Sequence, residues 1–197
     1  MTSSELSAAS ELMAGLFTEP RSLMLLLLLL AASISDLRTR RIPNRLTFGG
    51  ITLALLYGLL AHHHPHSGGF FWALGGMALG LAMMLPLYLL HAMGGGDVKL
   101  MAMVGSFIGP EATWQAVIFI FITGGVAAIS YALWHRMAGK LLRNSAEAVQ
   151  LLYINVAAGI APDARSSSAH SVGKLPYGVS IALGTLAFLV ARQFTWV

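Results

Sequence analysis

The sequence predicts an all-α fold, a polytopic bundle of about six transmembrane helices. Its 197 residues are 56% hydrophobic and only 10% charged, and the mean hydropathy is +0.73. A soluble domain of this size does not carry so few charges. The net charge is +4, and the charged residues lie between the apolar runs. This distribution indicates membrane topology rather than nucleic-acid binding. The chain has no cysteine, which excludes disulfides and thiolate metal sites.

The predicted spans follow the apolar runs. A helix needs about 20 apolar residues to cross the hydrocarbon core, and slightly fewer when long polar side chains flank it. The first run contains the leucines 25–30, and Gly76 and Gly80 in the third are spaced for close helix packing. The six segments that we predict are 22–36, 46–61, 70–91, 97–109, 113–135 and 177–195.

Two short segments between the spans carry turn signals. Pro43-Asn44 predicts a turn before the second span, with Asn44 as the helix cap. Gly109-Pro110 predicts a tight turn between the fourth and fifth spans. Residues 1–20 are predicted to be an interfacial tail, and residues 136–176 a cytoplasmic segment with an amphipathic helix on the membrane surface. The whole chain, 1–197, is then a single membrane-embedded domain.

The basic residues predict the orientation. If residues 36–45 are cytoplasmic, only Arg21 and Arg192 of the 12 Lys and Arg residues fall on the opposite side. Asp36 ends the first span on the cytoplasmic side, the second and third spans make a round trip, and Asp97 opens the fourth. Both aspartates are therefore expected at the cytoplasmic face. Residues 21–33 also fit a cleaved signal peptide, a reading disfavoured by the acidic tail before them.

Asp36 is the first candidate for chemistry. It lies where a long apolar run meets a polar segment, and a carboxylate at such depth is usually functional. The alternative is a carboxylate that marks the membrane boundary and is balanced by nearby arginines. Ser35 is a candidate hydrogen-bond donor to Asp36.

Asp97 is the second candidate. Three glycines, 94–96, precede it, and a glycine-rich segment allows a substrate backbone to come close to the carboxylate. The alternative is a flexible hairpin in which Asp97 caps a helix. Lys99 follows on the same predicted face, where its positive charge would tune the proton affinities of the aspartates.

Two further groups need an interpretation. Residues 174–178 (KLPYG) enter the last span from the face that holds both aspartates, although proline and tyrosine are common at such helix starts. The histidines are expected in a solvated outer loop, so no metal site is predicted. These histidines are His62, His63, His64 and His66.

Three motifs together resemble the type IV prepilin peptidases, in particular the short form that serves Tad/Flp-type pili. Residues 35–44 (SDLRTRRIPN) resemble the first aspartate motif of that family, and residues 94–100 (GGGDVKL) its GxGD motif. Residues 176–178 (PYG) resemble a late motif. The combination spans residues 35–178 and is far more specific than any one motif.

The resemblance implies an aspartic endopeptidase of the bacterial inner membrane. Such enzymes remove short basic leaders from prepilins and pseudopilins at the cytoplasmic face and need no cofactor. By correspondence Asp36 and Asp97 are the catalytic pair, and the expected partners are these substrates, the lipid bilayer and the pilus-assembly machinery. Long members carry a cysteine-bearing insertion and also N-methylate the product, which this chain is not expected to do. The supporting residues implied are Ser35, Pro43, Asn44, Gly94, Gly96, Lys99, Pro176, Tyr177 and Gly178.

Two rival functions remain at this point. One is a small transporter or pilus-assembly component whose aspartates carry ions or protons. A carrier is expected to place its carboxylates near the bilayer midplane, often in repeated halves, and neither feature is evident in this sequence. The other is GxGD proteolysis of a different substrate, as in archaeal preflagellin or presenilin-like proteases.

Overall fold

The computed structural model of the protein describes residues 19–60, 69–90, 93–134, 150 and 177–193. All regular elements in these ranges are helices and none is a strand, so the predicted all-α fold is confirmed. The tail before residue 19, the histidine loop and residues 136–176 other than 150 lie outside the described residues. The helices are α1 (Pro20–Thr39), α2 (Asn44–Leu60), α3 (Phe70–Leu89), α4 (Gly95–Trp134) and α5 (Tyr177–Gln193).

Three of these helices are long and apolar enough to cross a membrane, judged by length and composition. They are α1, α3 and residues 95–130 of α4. Helix α5 is also apolar but has 17 residues, as does α2. The chain therefore has the character of a membrane protein, and the count of six spans stays a prediction.

Helix α4 reverses direction at Gly109. This residue has φ 78° and ψ 173°, outside the helical region, and Pro110 follows it. A Cβ atom added at Gly105 would lie 3.3 Å from Thr113 Oγ1. Because eight residues of straight helix rise about 12 Å, this contact requires the halves 95–108 and 110–134 to fold back on each other. The tight turn predicted at Gly109-Pro110 is confirmed.

Side chains satisfy the backbone groups that this turn leaves open. Pro110 has no N–H, so the carbonyl of Ser106, four residues earlier, lacks its helical partner. Arg21 Nη2 donates a hydrogen bond to that carbonyl oxygen at 3.2 Å. Thr113 Oγ1 donates to the Gly109 carbonyl at 2.6 Å. The start of α1 is thereby tied to the turn of α4.

The first half of α4 forms the centre of the bundle. Every residue from 100 to 109 is buried, and the side chains of Leu100, Met101 and Val104 have no exposed surface. Helix α3 packs closely along it through the small residues that the sequence indicated. A Cβ atom at Gly76 would collide with the carbonyl of Gly105, and one at Gly80 would lie 2.6 Å from the carbonyl oxygen of Met101. The predicted close-packing role of these two glycines is confirmed.

Adding a methyl group at this contact will destabilise the bundle. Gly76→Ala places Cβ against the backbone of Gly105, which cannot move without shifting all of α4. We expect a loss of about 1–3 kcal/mol, seen as a lower thermal unfolding temperature in detergent. Gly75→Ala is the matched control, because its Cβ would meet only Pro110 Cγ, at an ordinary 3.7 Å. A loss with Gly76→Ala no larger than that with Gly75→Ala would show that the close contact with Gly105 does not limit stability.

The helix ends gather into two groups at opposite ends of the bundle. One end contains the end of α1 and the starts of α2, α4 and α5, where Gly178 contacts Asp36 and Gly96 contacts Ile42. The other end contains the starts of α1 and α3, the turn of α4 and the end of α5. Residues from these four places line one cavity, among them Arg21, Trp72, Ile108 and Arg192. Asp36 and Asp97 consequently lie at the same end.

Candidate active site

Asp36 is buried near the end of α1. Only 6% of its surface is exposed, and its Oδ2 accepts a hydrogen bond of 2.8 Å from the backbone N–H of Gly178. Helix α1 ends just beyond it, because Arg40 adopts a left-handed conformation (φ 52°, ψ 33°). The N–H of Arg40 donates to the Asp36 carbonyl oxygen at 2.8 Å. The residue is thus held through its side chain by α5 and through its backbone by the cap of α1.

Asp97 is buried at the start of α4. It is 9% exposed, and its Oδ2 accepts a 3.2 Å hydrogen bond from the N–H of Gly94. In return, the N–H of Asp97 donates to the Gly94 carbonyl at 3.1 Å. This reciprocal pair fixes the carboxylate on the first turn of the helix. The alternative in which Asp97 caps the helix is wrong, because Asp97 is the third residue of α4 and the carbonyl of Gly94 accepts the first helical bonds.

The glycines before Asp97 allow other elements to approach closely. A Cβ atom at Gly96 would lie 3.3 Å from Ile42 Cβ, and one at Gly95 would lie 3.3 Å from the ring of Tyr88. The loop between α1 and α2 and the end of α3 therefore both pack against the residues that carry Asp97. Of these two contacts, Tyr88 was not among the candidate residues, since nothing in its local sequence distinguishes it from an interfacial aromatic.

The two carboxylates lie at the same end of the bundle. They come from helices at distant positions in the chain, and both are nearly removed from solvent. Two nearby carboxylates are able to share a proton, because ionising both would bring like charges together. Two aspartates at one end of a bundle are the groups that an acid–base pair requires.

Ser35 and Thr39 organise the loop that follows Asp36. Ser35 Oγ donates a hydrogen bond of 2.9 Å to the carbonyl of Arg41, rather than to Asp36 as expected from the sequence. Thr39 Oγ1 lies within hydrogen-bond distance of the carbonyls of both Ser35 and Arg41. A hydroxyl at the end of a helix finds an open backbone carbonyl nearby, which explains the different partner.

Lys99 and Asn44 form a bridge between the two motifs. Lys99 Nζ donates to Asn44 Oδ1 at 2.9 Å and lies 5.4 Å from the ring centroid of Phe48. Asn44 is the first residue of α2 rather than its cap, and the carbonyl of Pro43 accepts the first helical bonds, from Leu46 and Thr47. The expected capping role of Asn44 is wrong, because its side-chain oxygen is bound to Lys99.

The late motif is only partly described. Pro176 lies outside the described residues, whereas Tyr177 begins α5 and is half-buried. Gly178 is buried against Asp36, so that a Cβ atom there would lie 2.8 Å from Asp36 Oδ2. Among the described residues, no group of three or more His, Cys, Asp or Glu side chains is arranged to hold a metal ion.

A comparison with models of protein families assigns the chain to a family. The model of the type IV leader peptidase family matches residues 23–133, more than half of the sequence. The chain belongs to the type IV leader peptidase family. The matched region contains Asp36 and Asp97 but ends before Gly178. No curated protein and no solved structure matches the chain.

Membership of the type IV leader peptidase family has three general consequences. The chain is a protease of the prepilin leader peptidase kind, and prepilins are its partners. Its three long apolar helices agree with a membrane protein. The resemblance that the three motifs indicated is confirmed at the level of the family.

Proposed function

We propose that this chain is an aspartic endopeptidase that removes the basic leaders of prepilins and pseudopilins, with Asp36 and Asp97 as its catalytic pair. The observation that carries the proposal is the position of two buried carboxylates, contributed by separate helices, at one end of the bundle. Burying two carboxylates together costs stability, and active sites are where such a cost persists.

The chemistry follows from one proton shared by the pair. The ionised aspartate takes a proton from water, and the resulting hydroxide attacks the scissile carbonyl carbon. The protonated aspartate donates a hydrogen bond to the carbonyl oxygen and then transfers its proton to the leaving amine. The backbone donors of Gly178 and Gly94 hold one oxygen of each carboxylate and so keep both oriented for this exchange.

We assign the aspartate end to the cytoplasmic face of a bacterial inner membrane, with six spans and α4 counted as two. The connection from Thr39 to Asn44 lies at this end and carries Arg40 and Arg41. Arginines in short connections favour the cytoplasmic side. The apolar helix of a prepilin would lie against the spans and bring its leader junction to the carboxylates.

The short connection also favours the Tad/Flp form of the family. Helix α1 ends at Thr39 and α2 begins at Asn44, so the cysteine-bearing insertion of long members does not lie between them. We assign the peptidase activity alone to this chain. The remaining supporting residues that the structure describes lie in the segments that carry or adjoin the two aspartates: Ser35, Pro43, Asn44, Lys99 and Tyr177.

The proposal is tested with purified protein in detergent and a prepilin carrying a basic leader. The expected result is release of the leader, which mass spectrometry detects. Orientation is tested in cells, because the chain has no native cysteine to interfere. Thr39→Cys and Gln193→Cys should be labelled by a membrane-impermeant maleimide from opposite sides. An uncut prepilin in the presence of folded protein overturns the activity, and labelling from the same side overturns the topology.

The bridge between Lys99 and Asn44 should behave as a unit that positions Asp97. Lys99→Ala and Asn44→Ala are each expected to lower kcat/KM about tenfold, because either change releases the start of α4 from α2. The double variant should be no slower than either single one. Thr52→Ala is a suitable control, since its hydroxyl is exposed and bonds only within α2. Additive losses would mean that the two residues act separately.

A further inference from the structure

A cavity of about 360 Å³ opens at the end of the bundle opposite to the aspartates. It is lined by the two basic residues that the charge pattern left outside the cytoplasmic group, Arg21 and Arg192. We propose that this cavity binds a phosphate group, presented either by an anionic phospholipid headgroup or as a free anion. Neither arginine takes part in the proposed peptidase chemistry.

Arg21 is held in place at the cavity, and one of its buried nitrogen atoms has no hydrogen-bond partner. Its Nη2 donates to the Ser106 carbonyl at 3.2 Å, and its guanidinium lies 4.4 Å from the ring centroid of Trp72. The ring of Tyr57 is 5.7 Å away. The Nε atom is fully buried and has no hydrogen-bond partner. A buried guanidinium N–H without an acceptor costs free energy, and a negative charge in the cavity would offset that cost through its electrostatic attraction to the guanidinium.

The other polar groups of the cavity add donors around Arg21. Arg192 lies in the last turn of α5 and is exposed, and Gln193 also lines the cavity. The hydroxyl of Ser22, another lining residue, donates to Glu19 Oε2 at 3.5 Å. Glu19 is the carboxylate among these residues, so two guanidinium groups face one negative charge. The formal charge of the lining is therefore +1, which attracts an anion.

A phosphate group fits this arrangement better than a carboxylate does. Its oxygens are able to accept bonds from both guanidinium groups at once, a geometry for which arginine is well suited. The floor of the cavity is apolar, which keeps water away from these bonds. The floor consists of Leu25, Phe107, Ile108 and Leu189, all buried.

The position in the bundle suits a lipid headgroup. The cavity lies where α1 begins and α5 ends, and α1 is a candidate membrane span. Headgroup phosphates lie at the ends of such spans, beside apolar side chains. A phospholipid would place its phosphate between the arginines, whereas a free phosphate would bind there without a membrane.

Lipid and phosphate binding by the purified full chain tests the proposal. Native mass spectrometry in detergent would titrate phosphatidylglycerol, with phosphatidylcholine as the neutral-headgroup comparison, and calorimetry would titrate inorganic phosphate. Arg192→Gln should weaken binding about three- to tenfold, and Glu19→Gln, which removes the negative charge, should strengthen it severalfold. Arg21→Gln is less informative alone, because it also removes the bond to Ser106.

The control is Arg45→Gln, which removes an exposed arginine at the other end of the bundle. Saturable binding of phosphatidylglycerol that responds to Arg192 and Glu19 in opposite directions supports a lipid site. The same response with inorganic phosphate supports a free anion. Two results overturn the proposal: no saturable binding of either probe, or equal weakening by Arg45→Gln and Arg192→Gln.

Discussion

Asp36→Asn and Asp97→Asn will each reduce the rate of prepilin cleavage about a thousandfold or more. Asparagine keeps the size of the side chain and its ability to accept the backbone N–H of Gly178 or Gly94. It removes the ability to exchange a proton, and the mechanism needs both an acid and a base. The measurement is the initial rate of leader release by purified variants at saturating and at low substrate concentrations.

The double variant gives a second, sharper expectation. If the two aspartates act as a unit, Asp36→Asn combined with Asp97→Asn will be no slower than either single variant, since one loss already removes the proton exchange. Glu111→Gln serves as the matched control, because it removes an exposed carboxylate next to the α4 turn at the other end of the bundle. Near wild-type cleavage by either aspartate variant would refute the pair.

The main features of the fold could be read from local signals in the sequence. The turn at Gly109-Pro110 was readable because glycine reaches a positive φ and proline ends a helix, and both effects act within a few residues. The close helix packing at Gly76 and Gly80 could be predicted for the same reason, because it depends on a spacing of four residues within one helix. Counting apolar runs between Asp36 and Asp97 predicted a shared face, and the two residues lie at the same end of the bundle.

The contacts between distant residues could not be read in this way. Helix α4 is apolar on all sides, so no polar face indicates which helices surround it or that its first half is central. The hydrogen bond from Gly178 to Asp36 joins residues 142 positions apart. Asn44 was given the wrong partner because its actual one, the amine of Lys99, is 55 positions away and becomes a neighbour only after folding. Ser35 is a different case, since its partner, the carbonyl of Arg41, is only six positions away and becomes available because α1 ends there.

Gly178→Ala will lower kcat about a hundredfold while leaving the protein folded. The added Cβ would lie 2.8 Å from Asp36 Oδ2 and 3.1 Å from Asp36 Cβ, closer than atoms normally approach. Helix α5 is unable to move away easily, because a Cβ at Gly184 would already lie 2.5 Å from Ile120 Cα on α4. The side chain of Asp36 must therefore shift, and a displacement of about 1 Å is enough to misalign the pair.

Stability should change little while activity falls, which separates an effect on the site from an effect on folding. Alanine favours the helix by about 1 kcal/mol over glycine, so the unfolding temperature in detergent should change little. Gly49→Ala is the control, since no atom lies within 4 Å of a Cβ added there. A Gly178→Ala variant with normal kcat would mean that Asp36 tolerates displacement, a result incompatible with a positioned catalytic carboxylate. A fall in stability as large as the fall in activity would instead assign Gly178 to packing alone.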